Sequence, residues 1–241
     1  MSISPRDILR DGAKGFGIEL SDHQLDQFDL LTATILDWNQ RINLTRITDP
    51  IDIAIKHYLD SLSILSFVDI PQTASVIDIG TGSGIPGIPL KIAVPGIRLS
   101  LLDSVRKKLT FAEAAAAELK MENVRVIHAR AEDAGLEKVH RDSFDFAISR
   151  AVARMNLLSE LCIPFCRVGG TFVAYKGPEG AEEVSEAAKA INLLGGKLEA
   201  VHNFALPNTD FQRTLVIIRK VRRTPSGYPR KPGIPEKNPI R

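Results

Sequence analysis

The run Val76-Ile-Asp-Ile-Gly-Thr-Gly-Ser-Gly-Ile-Pro-Gly87 has the residue types of a ligand-binding turn. An apolar stretch ends in the carboxylate Asp78, and Gly80, Gly82 and Gly84 then turn the chain toward a helix. Three glycines remove three Cβ atoms, so a ligand can approach the backbone closely. Gly82, Gly84 and Gly87 also satisfy GxGxxG, which admits a dinucleotide pyrophosphate to a helix N-terminus. Pro86 and Pro89 crowd that turn, however, and an acid stands two residues before the first glycine. The pattern suits a ligand with an ammonium group and no phosphate, such as S-adenosylmethionine. A dinucleotide site and a purely structural turn stay open as rivals.

Asp103 supports a nucleoside in either case. It closes a second apolar run, Leu101-Leu-Asp-Ser104, where a carboxylate can accept both ribose hydroxyls. Asp103 or Ser104 could equally cap the next helix. Acids recur at Ala131-Glu132-Asp133, where an adenine would lie or where a loop would simply face solvent. A further run, Phe144-Asp-Phe-Ala-Ile-Ser-Arg150, brings a guanidinium with five donors to a strand end that faces the reacting groups. Its bland role is a surface ion pair. No Asn-Pro-Pro-Tyr-like sequence follows, and no cysteine lies at that strand end. Attack by an exocyclic amine or through a covalent thiol adduct is therefore not indicated. The five histidines form no metal pattern, so no metal is expected. Cys162 and Cys166 sit four apart in what reads as one helix, and are expected to be buried and reduced.

Alternating strands and helices position these residues. Ser75–Ile79 reads as a buried parallel strand, and Arg98–Leu102, Val124–His128, Phe144–Ser149 and Gly170–Tyr175 as the strands that follow. Helices are predicted at 105–120, 155–165 and 182–194, the last stopped by Gly195-Gly196. No helix separates Leu198–His202 from Thr214–Arg219, so these form an antiparallel hairpin at a sheet edge. The result is a doubly wound, mostly parallel α/β sheet, Rossmann-like, with helices on both faces. Before it, the chain reads as helical. Ser21-Asp-His-Gln24 is a capping box for a helix carrying Leu25, Phe28, Leu31, Ile35 and Trp38. Asp49-Pro50 starts another helix, with Ile51, Ile55, Tyr58, Leu59 and Leu62 inward, ending before Pro71. Three parts follow: an N-terminal helical cap at 1–72, a ligand-binding domain at 73–224, and a C-terminal arm at 225–241.

The charge is +2 overall but uneven, with eight Lys or Arg and one acid from Arg219 to Arg241. A basic end points to a polyanion partner. The arm holds five of the 14 prolines, which excludes regular helix or strand and leaves disorder or an extended strap on a surface. No apolar run approaches the roughly 20 residues of a membrane span. Met1–Arg10 carries charges and no apolar core, so no secretory signal is expected and the location is cytoplasmic.

Several of these stretches occur together in one family. Asn43-Leu-Thr45, His57-Tyr-Leu-Asp-Ser-Leu62, Asp78–Leu90, Leu101-Leu-Asp-Ser104 with Lys107, and Ser149-Arg-Ala151 belong to the set. Lys176-Gly177, Arg213-Thr-Leu215 and Tyr228-Pro-Arg-Lys-Pro-Gly-Ile-Pro235 complete it. The chain resembles the bacterial glucose-inhibited division protein B family, the 16S ribosomal RNA guanine-N7 methyltransferases. The resemblance implies a class I methyltransferase sheet and transfer of methyl from S-adenosylmethionine to a guanine of the 530 loop, releasing S-adenosylhomocysteine. It implies donor contact by Gly80, Ile85, Ala131, Glu132 and Arg150, with Asp103 on the ribose; Arg150 is also the candidate catalytic residue, by positioning. Candidate RNA contacts are Asn43, His57, Lys107, Lys176, Arg213, Arg222, Arg223, Arg230 and Lys231. Sequence does not decide whether Asn43, His57 and Asp60 pack or bind. The expected partner is 16S ribosomal RNA or the small subunit, and the expected state a monomer. A small-molecule methyltransferase of the same fold and an inactive RNA-binding relative are the alternatives.

Overall fold

A computed structural model of the chain describes residues 4–241. Of the charged start at Met1–Arg10, Met1–Ile3 lie outside the described residues. Seven strands form one sheet: β1 (Ser75–Ile79), β2 (Arg98–Asp103), β3 (Val124–His128), β4 (Phe144–Arg150), β5 (Cys166–Lys176), β6 (Gly196–Ala205) and β7 (Gln212–Lys220). Their order is β3-β2-β1-β4-β5-β7-β6, and β7 alone runs against the rest. The hairpin therefore closes one edge with its second strand turned inward. The order reverses at β1, so the loops after β1 and β4 splay apart and leave a crevice at their carboxyl ends.

Side chains alternate across the sheet and build two apolar layers. Val76, Leu101, Ile148, Val173 and Leu215 share one core with the N-terminal helices α1 (Pro5–Gly15) and α2 (Asp22–Asn39). α5 (Gly87–Ala93) and α6 (Arg106–Glu118) complete that layer. Ile77, Ala147, Phe172 and Val216 face the other side, with α8 (Met155–Cys162) and α9 (Gly180–Leu193). The Ser21–Gln24 capping box is present. Gln24 Nε2 goes further, donating to the carbonyls of Ile92 at 2.9 Å and Ala93 at 3.1 Å, which fastens the start of α2 to the end of α5.

Three local expectations need correction. The helix from Pro50 is not uniform: α3 (Pro50–Ile53) widens into a π-helix at Ala54–Leu59, then tightens through α4 (Asp60–Leu62) to a 3₁₀ turn at Ser63–Ser66. Such widened turns mark functional sites more often than chance. Cys162 and Cys166 do not share a helix. Cys162 ends α8 and Cys166 opens β5, because the turn Ile163–Phe165 contains Pro164 and the chain leaves it extended. Both thiols are free and buried, and burial pushes Cys166 up to about 12. The arm holds one helical turn, α10 (Ile234–Lys237), with Pro235 in its first turn, where a missing N–H costs nothing.

The arm is otherwise a strap. Arg141 donates to the carbonyls of Tyr228 at 2.7 Å, Thr224 at 2.8 Å and Pro225 at 3.1 Å. Arg230 grips the buried Glu160 of α8 with Nη2 at 2.6 Å. Just upstream, the fully buried Lys220 ammonium donates to Asp142 at 3.0 Å, the Ile163 carbonyl at 2.8 Å and Thr224 Oγ1 at 2.8 Å.

Candidate functional site

The glycine loop folds around Asp78. Its Oδ2 accepts from Thr81 Oγ1 at 2.6 Å and from the Gly87 amide at 2.9 Å. Its Oδ1 is buried with no partner, and among the described residues it is the one such side-chain atom. Burial raises this carboxyl to about 6, against the opposing pull of those two hydrogen bonds. Gly80, Gly82 and Gly84 have φ of +69°, +57° and +77°, the left-handed region that L side chains avoid. A Cβ on Gly80 would strike Val152, and one on Gly84 would strike Ile88. One on Gly82 would meet only Lys108 Cδ at 3.9 Å, so Gly82 is where an incoming molecule can reach bare backbone.

Asp103 ends β2 beside this loop. Its Oδ2 accepts from the Gly82 amide at 2.8 Å, and its Oδ1 from the Val105 amide at 2.8 Å. It thus ties the loop to the residue that enters α6. Val105 occupies the N-cap and no side chain caps that helix, so neither Asp103 nor Ser104 is the cap that the sequence offered as the alternative to ribose binding. Ser104 is exposed next to it. Ile85 is 6% exposed and packs into the core shared with the N-terminal helices. Ala131 and Glu132 begin α7 (Ala131–Ala134), where Glu132 Oε1 accepts from the Gly233 amide of the arm at 3.3 Å. The orphaned Asp78 oxygen, the open Gly82 backbone and the Asp103 carboxylate fit a nucleoside ligand that also carries an ammonium group.

β4, the parallel neighbour of β1, delivers Arg150 to a second feature. Ala151 follows at φ +57°, a strained turn for a residue with a Cβ. Arg150 Nη1 donates to the Lys56 carbonyl at 2.9 Å, inside the widened turn, and to Asp60 Oδ2 at 3.0 Å. Its Nη2 lies 3.3 Å from His57 Nδ1. The other Asp60 oxygen accepts from Arg213 Nε, on β7, at 3.1 Å. These groups line a cavity of about 540 Å³ with Tyr175, Lys176 and Glu183. Lys176 is paired with Glu183 at 2.7 Å.

Burial, with Arg150 beside it, pushes His57 down to about 4, so the ring is neutral at pH 7. A guanidinium only donates, so Nδ1 is the acceptor and the ring proton sits on Nε2, donating to Thr45 Oγ1 at 3.1 Å.

Four residues singled out from sequence thus meet here: His57, Arg150, Lys176 and Arg213. The Arg150 guanidinium is held by the π-helix and Asp60, not by the glycine loop. Asn43 and Lys107 are exposed, Asn43 in the loop after α2 and Lys107 on the first turn of α6. Arg223 and Lys231 are exposed, Arg222 is bonded to Asn192, and Arg230 is committed to Glu160. Sequence assigned no role to Asp60, although it lies inside the His57–Leu62 motif; the i, i+3 spacing from His57 was the available signal. Among the described residues no cluster of His, Cys, Asp or Glu could hold a metal, and no helix is long and apolar enough to cross a membrane.

The fold recurs in solved structures. A chain of a Haloferax volcanii complex between a methyltransferase and its activator aligns over 80% of this chain and 98% of its own, with TM-score 0.58 and 16% identity. The YcgJ protein from Bacillus subtilis aligns over 70% of this chain and all of its own, with TM-score 0.51 and 16% identity. At those identities they speak for the fold alone. Sequence is more specific. A protein of Alkaliphilus oremlandii named ribosomal RNA small subunit methyltransferase G is 47% identical over 98% of this chain and 99% of its own. Its namesake in Desulforamulus reducens is 46% identical over 96% and 97%. Residues 24–216 match the pattern of the family described as GidB, rRNA small subunit methyltransferase G. With that match added to near full-length identity, the chain belongs to the GidB family of small-subunit ribosomal RNA methyltransferases.

Proposed function

We propose that the chain transfers the methyl group of S-adenosylmethionine to N7 of a guanine in 16S ribosomal RNA, releasing S-adenosylhomocysteine. The observation that carries this reading is the pairing of the two features at the carboxyl ends of two adjacent central strands. A glycine loop with an orphaned carboxylate oxygen ends β1, and a basic cavity begins where the adjacent β4 ends. Bound at the loop, the sulfonium donor supplies an electrophilic methyl group. Asp78 would meet its ammonium, Gly82 would let the ligand close on the backbone, and Asp103 would take the ribose hydroxyls, exchanging part of its present backbone bonding for them. On the acceptor side, guanine N7 has an in-plane lone pair and needs no deprotonation. His57 is a weak base with both ring nitrogens partnered, and Asp60 is held by two arginines, so neither is placed to take a proton from the acceptor. Rate then comes from alignment of nitrogen, methyl carbon and sulfur in one line. Action in the cytoplasm, as a monomer on RNA or on the small subunit, belongs to the same reading.

The test is transfer of labelled methyl from S-adenosylmethionine to purified small ribosomal subunits, followed by nucleoside analysis. Label in 7-methylguanosine is expected. Label in another nucleoside, or none despite donor binding, would overturn the assignment.

A further inference from the structure

Asp60 stands out because one carboxylate serves two arginines. Its side chain is 7% exposed, with Arg150 Nη1 at 3.0 Å on one oxygen and Arg213 Nε at 3.1 Å on the other. The two guanidinium side chains are 15% and 24% exposed, so all three charges are largely withdrawn from water. As a stability device this arrangement is poor, because one positive charge is left without a counter-charge and a partly buried charge is costly when unpaired. No neighbour pairs with the second guanidinium. Glu183 pairs with Lys176 and also accepts from the Met155 amide, and Lys56 pairs with Asp52 at 2.9 Å. Glu179, the remaining acid of the cavity lining, is exposed and makes no ion pair with either arginine. His57 contributes no charge near neutral pH. Among the described residues, no hydrogen-bond partner reaches Arg213 Nη2.

We propose that Asp60 is a positioning residue that fixes Arg150 and Arg213 as a two-armed clamp for one phosphodiester of the RNA strand beside the methylated base. This rests on the reading that RNA is the acceptor. The charge matches: two guanidiniums less one carboxylate leave one positive charge, and a phosphodiester carries one negative charge. The stereochemistry also matches. Each arginine spends part of its fork on Asp60, which sets the plane of the group and leaves other donors for phosphate oxygens. The anchors come from three separate elements: Asp60 from the helix after the π turn, Arg150 from the end of β4, Arg213 from the start of β7. The clamp therefore exists only when the N-terminal helices are seated on the sheet. The cavity of about 540 Å³ lies in the range that takes a nucleotide-sized ligand.

The role predicts a split between binding and turnover. Asp60→Asn keeps the size of the group but removes its charge and one of its two acceptor oxygens, so it can no longer hold both forks, and neither cation is removed. Affinity for purified small subunits should stay within about threefold of the parent, because phosphate attraction is dominated by the cations. The single-turnover methyl-transfer rate should fall about 100-fold, the scale of a misplaced reactant. Affinity for S-adenosylhomocysteine should not change, and Asp60→Glu should restore part of the rate. Because the variant alters a buried cluster, a cycle with Arg213→Gln is needed. If Asp60 acts through its arginines, the double variant loses less than the product of the two single losses, the remainder being the Arg150 arm; fully multiplied losses would show a general structural effect and overturn the proposal. Arg213→Gln should also reduce the log–log salt slope of RNA binding by about 0.7–0.9, the value of one phosphate contact. An unchanged slope overturns the clamp. A parent that binds no RNA overturns the acceptor reading as well, whereas a parent that methylates RNA no faster than Asp60→Asn overturns this inference alone.

Discussion

Binding of S-adenosylhomocysteine should tighten about tenfold between pH 5 and pH 7, with Asp78 as the cause. This carboxyl is completely buried, and burial lifts it from 3.8 to about 6. The lift corresponds to about 3 kcal/mol of disfavoured ionisation. A carboxyl raised in the folded state contributes stability below pH 3.8 that is lost as the pH climbs through about 6, so at neutral pH the free protein carries the full penalty. A ligand ammonium at the orphaned Oδ1 would offset it by favouring the charged form. Linkage then fixes the sign. At pH 5 about one tenth of a group with a pKa near 6 is ionised, at pH 7 about nine tenths, so affinity should climb and then level. His57, held down at about 4, titrates below this window. The ligand's own amine, a free amino-acid ammonium beside its carboxylate, titrates above this window and stays protonated across it. Calorimetry at constant ionic strength from pH 5 to 7 reads the effect, with proton release on binding at the acidic end. Asp78→Asn should bind more weakly and show no such rise. A flat profile in the parent, or the same rise in Asp78→Asn, would refute the assignment of the ammonium to Asp78.

Gly82→Ala places a methyl group where almost nothing but ligand space surrounds it, at φ +57°. The strain should cost about 1–2 kcal/mol in denaturant titrations, while donor affinity falls more than tenfold; equal affinity would show that the ligand does not approach this backbone. Asp103→Ala removes the acceptor of both the Gly82 and Val105 amides, so it should lower the melting temperature and also weaken donor binding by about 1.5–3 kcal/mol. Loss of stability with unchanged affinity would reduce Asp103 to a tether between the glycine loop and Val105. Arg230→Ala strands Glu160, whose side chain is 1% exposed, and should destabilise by about 3–5 kcal/mol, toward the lower end because Arg230 itself reaches solvent. Replacing Arg222, Arg223 and Lys231 together by alanine should leave the fold nearly as stable and flatten the salt dependence of RNA binding; a slope equal to the parent's would assign the arm a purely structural role.

Local chemistry was written plainly in the chain. The glycine loop could be read because a turn with three left-handed positions tolerates few other residues, and Asp78 because it interrupts an apolar run at a strand end. The capping box at Ser21 and Gln24 formed as its spacing required, since a cap involves only neighbours along the chain. The central strand β1 read as a continuous apolar run for a related reason: both faces of the sheet are covered there, so nearly every position records the core, whereas the edge strand β3 has no fully buried residue. Other features had no such local record. Nothing near Pro50 signalled a π turn, whose partners lie far off in the chain: α1 packs against it and Arg150 takes its Lys56 carbonyl. Pro164 could have separated Cys162 from Cys166, but the apolar periodicity on either side concealed the break. The tail's charges read as a ribbon for phosphate, yet Arg230 is bound to a glutamate 70 residues earlier, and basic composition cannot show which charges are already paired. Asp60 and Arg213 are 153 residues apart, and Arg150 joins them from a third element. Sequence supplied the carboxylate and both guanidiniums, but their meeting depends on strand order and on where the first helices dock, so only the tertiary structure decided that three separate charges form one site.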